Sequence, residues 1–323
     1  MALNVAIVGC GLIGRKRAAA LRECRLAIAC DVDMARAQAL GAAAATNDWQ
    51  AAVASDAVDI VIVATTHDML APIATAAARA GKHVLIEKPG ARRAAELDAV
   101  AEAAAATGAR VRVGFNHRYH RAVQMARALF DAEEIGPLMF IRGRYGHGGR
   151  LGYEREWRAN PAISGGGELL DQGIHLIDLS RWFLGEFTRV TGRTPRCFWQ
   201  MPVEDNAFLM LETEAGQLAW LHASWTEWKN TFSFEICGRD GKLEITGLGG
   251  SYGTERLTFY EMSPEMGPPQ TRTWEFPTAD NSWEVEFGNF LDDIRYKRQP
   301  RPGIADAQAA LRIVECVYQE NAR

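Results

Sequence analysis

The stretch Gly165-Gly166-Gly167-Glu168-Leu169-Leu170-Asp171-Gln172-Gly173-Ile174-His175-Leu176-Ile177-Asp178 sets a carboxylate and an imidazole four residues apart in an otherwise apolar segment. Residues at i and i+4 share a helix face, so Asp171 and His175 are expected to project side by side, with Asp178 one turn further on. Leu169, Leu170, Ile174, Ile177, Leu179 and Phe183 supply the stripe that would bury such a helix and hold it in place. An imidazole near neutral pH accepts or donates a proton, and a neighbouring carboxylate orients the ring and favours its charged form. A lone Asp/His pair is by default a polar flank facing solvent. The rest of the chain decides against that default.

The apolar run Leu3-Asn4-Val5-Ala6-Ile7-Val8 enters Gly9-Cys10-Gly11-Leu12-Ile13-Gly14 and then a helical pattern from Arg15 to Leu21. This is G-x-G-x-x-G between a strand and a helix, the context that gives the motif meaning. Gly9 allows the tight turn, Gly11 lets the backbone approach a pyrophosphate, and Gly14 permits close helix–strand packing. The free N–H groups and the dipole at the helix start then favour phosphate. A second strand, Leu26-Ala27-Ile28-Ala29-Cys30, ends in Asp31, twenty residues after Gly11. An acid there accepts hydrogen bonds from the adenosine 2′- and 3′-hydroxyls and repels a 2′-phosphate, which favours NAD over NADP. Arg15 and Lys16 keep NADP open, although solvated charges on the first helix are the plainer reading.

Glu87-Lys88-Pro89 closes another apolar run, His83-Val84-Leu85-Ile86. In open α/β sheets ligands lie beyond the carboxyl ends of the strands, so Lys88 points toward the nicotinamide end of the expected cleft. A lysine there can stabilise the alkoxide that forms as hydride leaves; the alternative is a surface lysine at a strand end. The candidate cofactor residues are therefore Gly9, Gly11, Leu12, Ile13, Gly14, Asp31, Thr65, Glu87 and Lys88.

Strands and helices alternate through the first third of the chain. After Asp31 the pattern predicts a helix around 34–41, a weak strand near 43–46, a strand over 58–63 and a helix over 69–80. It continues with the strand 83–86, a helix over 92–106 and a strand over 110–115. Continuous apolar strands between helices indicate a parallel sheet buried on both faces. Beyond a helix near 118–130 the pattern changes. Segments at 138–146, 206–213, 217–228, 231–237, 242–246, 255–261 and 271–276 read as strands joined by turns such as Arg239-Asp240-Gly241, an antiparallel arrangement. Two helices follow, one carrying Trp283, Phe287, Phe290 and Ile294 at helical spacing, the other over about 304–321 and packing back on the body of the protein. The predicted fold class is α/β: a doubly wound parallel Rossmann sheet over 1–118, then an α/β domain with an open, mostly antiparallel sheet over 119–323.

A length of 323 residues suits two domains, and a hydrophobic fraction of 48% is enough for real cores. No apolar run reaches the roughly 18 residues that a membrane span needs. The first strand starts almost at Met1, which leaves no room for a signal peptide. The six cysteines show no C-x-x-C and no zinc-like Cys/His spacing, so they read as reduced thiols in a cytoplasmic protein without a metal site. A net charge of −4 with no basic stripe argues against nucleic acid as a partner.

Gly9–Gly14 after a first strand, Ala80-Gly81-Lys82-His83-Val84-Leu85-Ile86-Glu87-Lys88-Pro89, and Gly165 through Asp171 to His175 together resemble the glucose–fructose oxidoreductase/inositol dehydrogenase (Gfo/Idh/MocA) family. The likeness covers essentially the whole chain and keeps the order and spacing of the three motifs. It implies a Rossmann domain, a C-terminal α/β domain, and hydride transfer at a secondary carbinol of a sugar, cyclitol or related polyol. By the same resemblance Lys88 matches the family's active-site lysine, often followed by a cis proline, and Asp171 and His175 match its D-x-x-x-H pair. Asn116, Arg118 and Tyr119 fall where members often place substrate contacts. The chain departs from the family at Thr66-His67-Asp68, where members often carry Asn-x-x-His. His67 could line the cleft instead.

These positions give a mechanism in which His175 removes the hydroxyl proton, Asp171 positions substrate or imidazole, and Lys88 stabilises the developing oxygen charge while NAD⁺ accepts hydride. Trp157, Arg158 and Asn160, in the loop before the glycines, are further substrate candidates. Five arginines between Arg142 and Arg158 hint at an anionic substrate such as a nucleotide sugar or sugar acid, although Arg142 and Arg144 could equally serve a subunit interface. Two other classes stay open: a redox-inactive NAD-sensing protein, which would not need the Lys88/Asp171/His175 set, and a glycosidase that uses NAD transiently. In Leu218–Trp228, Trp220 and Trp228 fall on one side of a strand, Leu221 and Trp225 on the other. Apolar bulk on both faces predicts a homodimer or homotetramer with Trp220 or Trp225 at or near the interface.

Overall fold

In a computed structural model, residues 2–265 and 267–321 are described. The chain divides into two compact units, one made of Met1–Phe115, Ala162–Gly165 and Trp283–Arg312, the other of Asn116–Pro161, Gly166–Ser282 and Ile313–Arg323.

The first unit is built on six parallel strands: β1 (Asn4–Val8), β2 (Arg25–Cys30), β3 (Ala44–Thr46), β4 (Ile60–Val63), β5 (His83–Glu87) and β6 (Val111–Gly114). Their order is β3-β2-β1-β4-β5-β6, with the chain reversing direction across the sheet between β1 and β4. That is the doubly wound Rossmann order, in which the strand reversal opens a crevice at the carboxyl ends of β1 and β4. Ile60, Val61, Ile62 and Val63 are all fully buried, as a strand covered on both faces requires. The Glu87-Lys88-Pro89 turn follows β5, and its Lys88–Pro89 peptide is cis.

One face of this sheet is completed from far along the sequence. Phe287, Phe290 and Leu291, on the helix Ser282–Arg295, pack with Val5, Ile7, Ile60, Ile62 and Leu85. The first unit therefore takes in residues well beyond the first third of the chain, because the apolar face of that late helix belongs to its core.

The second unit holds eight strands: β7 (Leu138–Gly146), β8 (Phe187–Arg193), β9 (Asn206–Thr213), β10 (Leu218–Ser224), β11 (Thr231–Gly238), β12 (Gly241–Thr246), β13 (Glu255–Glu261) and β14 (Gln270–Phe276). Their order is β14-β13-β12-β11-β7-β10-β9-β8. Every neighbouring pair is antiparallel except β7 and β10, which run parallel with Ala219 beside Ile141. The edge strand β8 was not visible in the pattern. Its residues Phe-Thr-Arg-Val-Thr-Gly-Arg are mostly exposed and show little alternation. It is a strand because β9 pairs with it.

Along β10 the faces alternate cleanly. Ala219, Leu221 and Ala223 are fully buried, while Trp220 is 62% exposed. Trp225, just past the strand, is fully buried against Tyr153, Ala159, Met201 and Val203. The expectation that Trp225 could sit at a subunit interface is thereby corrected: it is a core residue of its own chain. Trp228 stands in a loop with a left-handed backbone, φ +56°, not on the strand. Among the described residues no helix is long and apolar enough to cross a membrane.

Candidate active site

The glycine turn in the first unit is shaped to receive an anion. Gly9 has φ +97°, and a Cβ there would stand 2.3 Å from the Ala64 carbonyl oxygen and 2.8 Å from the Thr65 nitrogen. Only glycine fits, and the turn is thereby pressed against the start of the Thr65-Thr66 loop. A Cβ on Gly14 would meet the Gly9 oxygen at 1.9 Å, while one on Gly11 would meet nothing within 4 Å. The backbone is thus tightly packed below and open above. The helix Leu12–Ala19 has no side-chain cap and no acidic residue in its first turn, so its leading N–H groups and dipole are left for a negatively charged group.

Asp31 is held where β2 ends. Its carboxylate accepts the Cys10 amide at 2.7 Å through Oδ2 and the Asp33 amide at 2.9 Å through Oδ1. Two backbone donors fix its orientation and keep it beside the glycine turn. The residues present fit a dinucleotide: Gly9, Gly11, Leu12, Ile13 and Gly14 for the pyrophosphate, Asp31 for the ribose hydroxyls. Arg15 and Lys16 are exposed on the helix, and Lys16 lies 5.2 Å over the Trp283 ring.

Glu87 is different. Its carboxylate takes Arg17 Nε at 2.6 Å, and Arg17 also reaches Glu286 Oε2 at 2.5 Å. All three side chains are buried, and the Arg17 guanidinium stacks 4.5 Å over Trp283. The Glu87 side chain is committed to this triad, so any part it takes in cofactor binding falls to its main chain. Burial pushes the Glu286 carboxyl up and the nearby Glu87 charge adds to it, against the opposing pull of Arg17 and Arg112. Lys88 follows directly and is partly exposed at the mouth of the sheet. His67 is buried with Nδ1 2.8 Å from the Ser164 carbonyl oxygen.

In the second unit the Asp171/His175 stretch is not one uniform helix. Leu169–Gly173 forms a wide π-helical turn, followed by the α-helix Ile174–Leu184. Such turns recur at functional sites because they re-aim side chains. Its start is pinned by Glu204, whose Oε1 accepts the Gly167 and Leu169 amides at 3.1 Å and the Tyr318 hydroxyl at 2.7 Å. Gly167 must be glycine, since a Cβ would lie 2.0 Å from the Glu204 carbonyl oxygen. Burial pushes the Glu204 carboxyl up, opposed by the Tyr318 hydroxyl and these amides. Nothing in the local sequence marks Glu204, because it lies thirty-three residues beyond Asp171.

Asp171 and His175 are both buried, at 7% and 4% exposure. Asp171 Oδ2 accepts Arg158 Nε at 2.9 Å, and Asp171 in turn raises the Arg158 pKa by its charge. Trp157 lies against the same guanidinium, 4.6 Å from its ring centroid. Trp157, Arg158 and Asp171 are thus brought together. Arg158 acts there as the partner of Asp171. His175 stacks face to face on His117, with centroids 3.7 Å apart and planes 13° from parallel, and Tyr145 stands edge-on at 6.3 Å. Burial drives the Tyr145 hydroxyl well above its ordinary range, so it is a neutral donor at physiological pH. His117 lies between residues that the sequence reading selected and was itself passed over.

Arg118 is buried and makes a two-pronged pair with Asp178, Nε to Oδ2 at 2.8 Å and the second nitrogen to Oδ1 at 2.6 Å. This pair makes Arg118 an internal strut and commits Asp178 to it. Each of the five arginines between 142 and 158 also has a carboxylate within 4 Å: Glu235, Glu227, Glu156, Glu154 and Asp171 respectively. With its charge matched internally, the cluster gives no support to an anionic substrate. Asn116 Nδ2 donates to Ser282 Oγ at 3.0 Å, Tyr119 is buried and Asn160 is exposed. Among the described residues no group of His, Cys, Asp and Glu is placed to hold a metal ion.

Comparison with known proteins places this geometry. Residues 3–115 match the family described as the oxidoreductase family with NAD-binding Rossmann fold, and residues 123–244 match the GFO/IDH/MocA C-terminal domain. The levoglucosan dehydrogenase of Pseudarthrobacter phenanthrenivorans is 29% identical over 66% of this chain and 59% of its own length. Inositol 2-dehydrogenase 2 of Saccharopolyspora erythraea is 33% identical over 68% of this chain and 65% of its own. The chain thus matches less than two thirds of the length of these curated relatives. A solved levoglucosan dehydrogenase in complex with NADH and levoglucosan superposes with a TM-score of 0.88 at 24% identity, covering 99% of this chain and 98% of that one, which shows a shared fold. With both domain patterns matched in order, the chain belongs to the Gfo/Idh/MocA oxidoreductase family.

Proposed function

We propose that this protein is an NAD-dependent oxidoreductase that acts on a secondary carbinol of a sugar, cyclitol or sugar derivative. The observation that carries the reading is the buried His175, at the start of the helix Ile174–Leu184, which directly follows the re-aimed turn carrying an Asp171 that Arg158 holds in place. A sensing protein has no use for so constrained a proton-transfer group. The names of the relatives, levoglucosan dehydrogenase and inositol 2-dehydrogenase 2, support a polyol substrate.

In this reading the nicotinamide, when bound, supplies the hydride acceptor. His175 takes the proton from the reacting hydroxyl, and Lys88 offsets the negative charge that builds on its oxygen. Asp171, held by Arg158, orients the hydroxyl or the imidazole. Asn116, Tyr119 and Trp157 are the substrate contacts. The unit around β1–β6 binds the nucleotide; the unit around β7–β14 binds substrate and carries the subunit contacts. The six free thiols fit a cytoplasmic setting.

The test is a panel of inositols, aldoses, anhydro-sugars and sugar acids, each offered with NAD⁺ and with NADP⁺ while nucleotide reduction is followed. Net reduction by a neutral polyol is expected, with affinity for NAD(H) at least tenfold tighter than for NADP(H), about 1.4 kcal/mol, because the Asp31 carboxylate repels a 2′-phosphate. Equal affinities would remove the assignment of Asp31. Bond cleavage without net nucleotide turnover would replace the dehydrogenase by a glycosidase.

Assembly follows from the outer face of β9 and β10. Phe208, Met210, Leu218 and Trp220 are 42%, 47%, 38% and 62% exposed there. Trp220 pairs across the strands with Met210, and Phe208 stacks on His222 at 4.2 Å, so the apolar side chains are contiguous. A second copy of the chain is the simplest cover for such a face. Light scattering at micromolar concentration should give a dimer or tetramer, and Trp220→Glu should shift the population toward monomer. A wild-type mass near the 35.6 kDa of one chain would sink the proposal.

A further inference from the structure

His117 sits in the short helical turn Asn116–Tyr119 and is 5% exposed. The turn is anchored on both sides of it, by Asn116 on Ser282 and by Arg118 on Asp178. Three further rings confine the imidazole: Tyr145 at 5.1 Å, His120 at 5.6 Å and Phe232 at 6.0 Å, each meeting it edge to face. One face of the ring is laid flat on His175 at 3.7 Å and 13°. The arrangement is a fixed ring presenting a flat surface to the group that carries the proton.

The need for such a surface follows from histidine itself. The ring torsion of a histidine is broad and roughly two-fold, so its rotamer leaves the direction of the two nitrogens loosely set. A general base works only when its nitrogen lies within hydrogen-bond reach of the proton, in line with it. A flat neighbour removes the loose torsion. It also places a π face against the imidazole at the moment it becomes positive, which an aliphatic wall would not do.

We propose that His117 is a positioning residue for His175: a stacking platform that sets the plane of the catalytic imidazole. The inference rests on the dehydrogenase reading above. It predicts that the ring, not its nitrogens, is what matters. His117→Ala should lower kcat by roughly 10- to 100-fold, the scale of a misplaced catalytic group, with KM for the nucleotide changed by no more than about twofold. His117→Phe keeps the platform and should recover most of the lost kcat.

The experiment measures kcat and nucleotide KM for wild type, H117A, H117F and H175A, with near-ultraviolet circular dichroism to establish folding. In parallel, the Cε1–H resonance of His175, assigned by its loss in H175A, is followed by NMR and should move in H117A as the ring current of the stack is lost. Wild-type kcat in H117A overturns the proposal. So does an H117F as slow as H117A when both fold and bind nucleotide, since the nitrogens would then be required. An unmoved His175 resonance in H117A overturns the stack itself. If the wild type turns over no polyol, the dehydrogenase reading fails and takes this inference with it. An active wild type with an unaffected H117A removes the inference alone.

Discussion

Replacing His175 with alanine is expected to lower kcat on the identified polyol by roughly 10²-fold or more, the usual contribution of a positioned acid/base. The nucleotide should still bind with unchanged affinity, because the glycine turn and Asp31 lie in the other unit of the chain. Lys88→Ala should show the same pattern for a different reason, the loss of a cation at the reacting oxygen. Steady-state kinetics with a parallel fluorescence titration of NADH separates chemistry from binding. Near-normal turnover in H175A would move the proton-transfer role elsewhere, with His117, stacked 3.7 Å away, the nearest alternative.

The second large effect is on stability. Arg118 and Asp178 are both nearly inaccessible, and Arg118→Ala would leave the Asp178 carboxylate buried without its guanidinium. Breaking a buried pair in this one-sided way costs about 3–5 kcal/mol. For a unit of this size that is a fall in Tm on the order of 10 °C. Arg118→Met with Asp178→Leu removes both charges and should recover much of the loss, because an apolar pair of similar volume carries no desolvation cost. Differential scanning calorimetry on the three variants checks this. An R118A protein with wild-type Tm and a raised substrate KM would restore Arg118 to the substrate site.

How much of this was legible beforehand depends on whether a signal was local. The glycine turn, Asp31 and the Glu87-Lys88-Pro89 corner are short motifs whose meaning lies in flanking strands, and those strands announce themselves as unbroken apolar runs. Asp171 and His175 were visible for the same reason. Illegible features depend on partners distant in sequence. Arg118 gives no local sign of its pair with Asp178, sixty residues away. Glu204 has no local signature, and Glu87 gives no local sign that its side chain pairs with Arg17. β8 is a strand only by virtue of its neighbour. Trp225 shows the limit of alternation: once a strand ends, counting by twos no longer says which way a side chain points.

The Arg17–Glu87–Glu286 triad bears on what can be transplanted. Arg17 lies on the helix that follows the glycine turn, Glu87 precedes Lys88, and Glu286 arrives some two hundred residues later. The nucleotide-binding module is therefore a two-piece part, encoded at opposite ends of the sequence. A fragment cut after residue 118 would keep every recognisable motif of that module. It would nevertheless strip Phe287 and Phe290 from the sheet and leave Arg17 with half its counter-charge. A chimera built on this chain has to carry both pieces together, because a crossover that respects only the visible motifs would split the triad and its core.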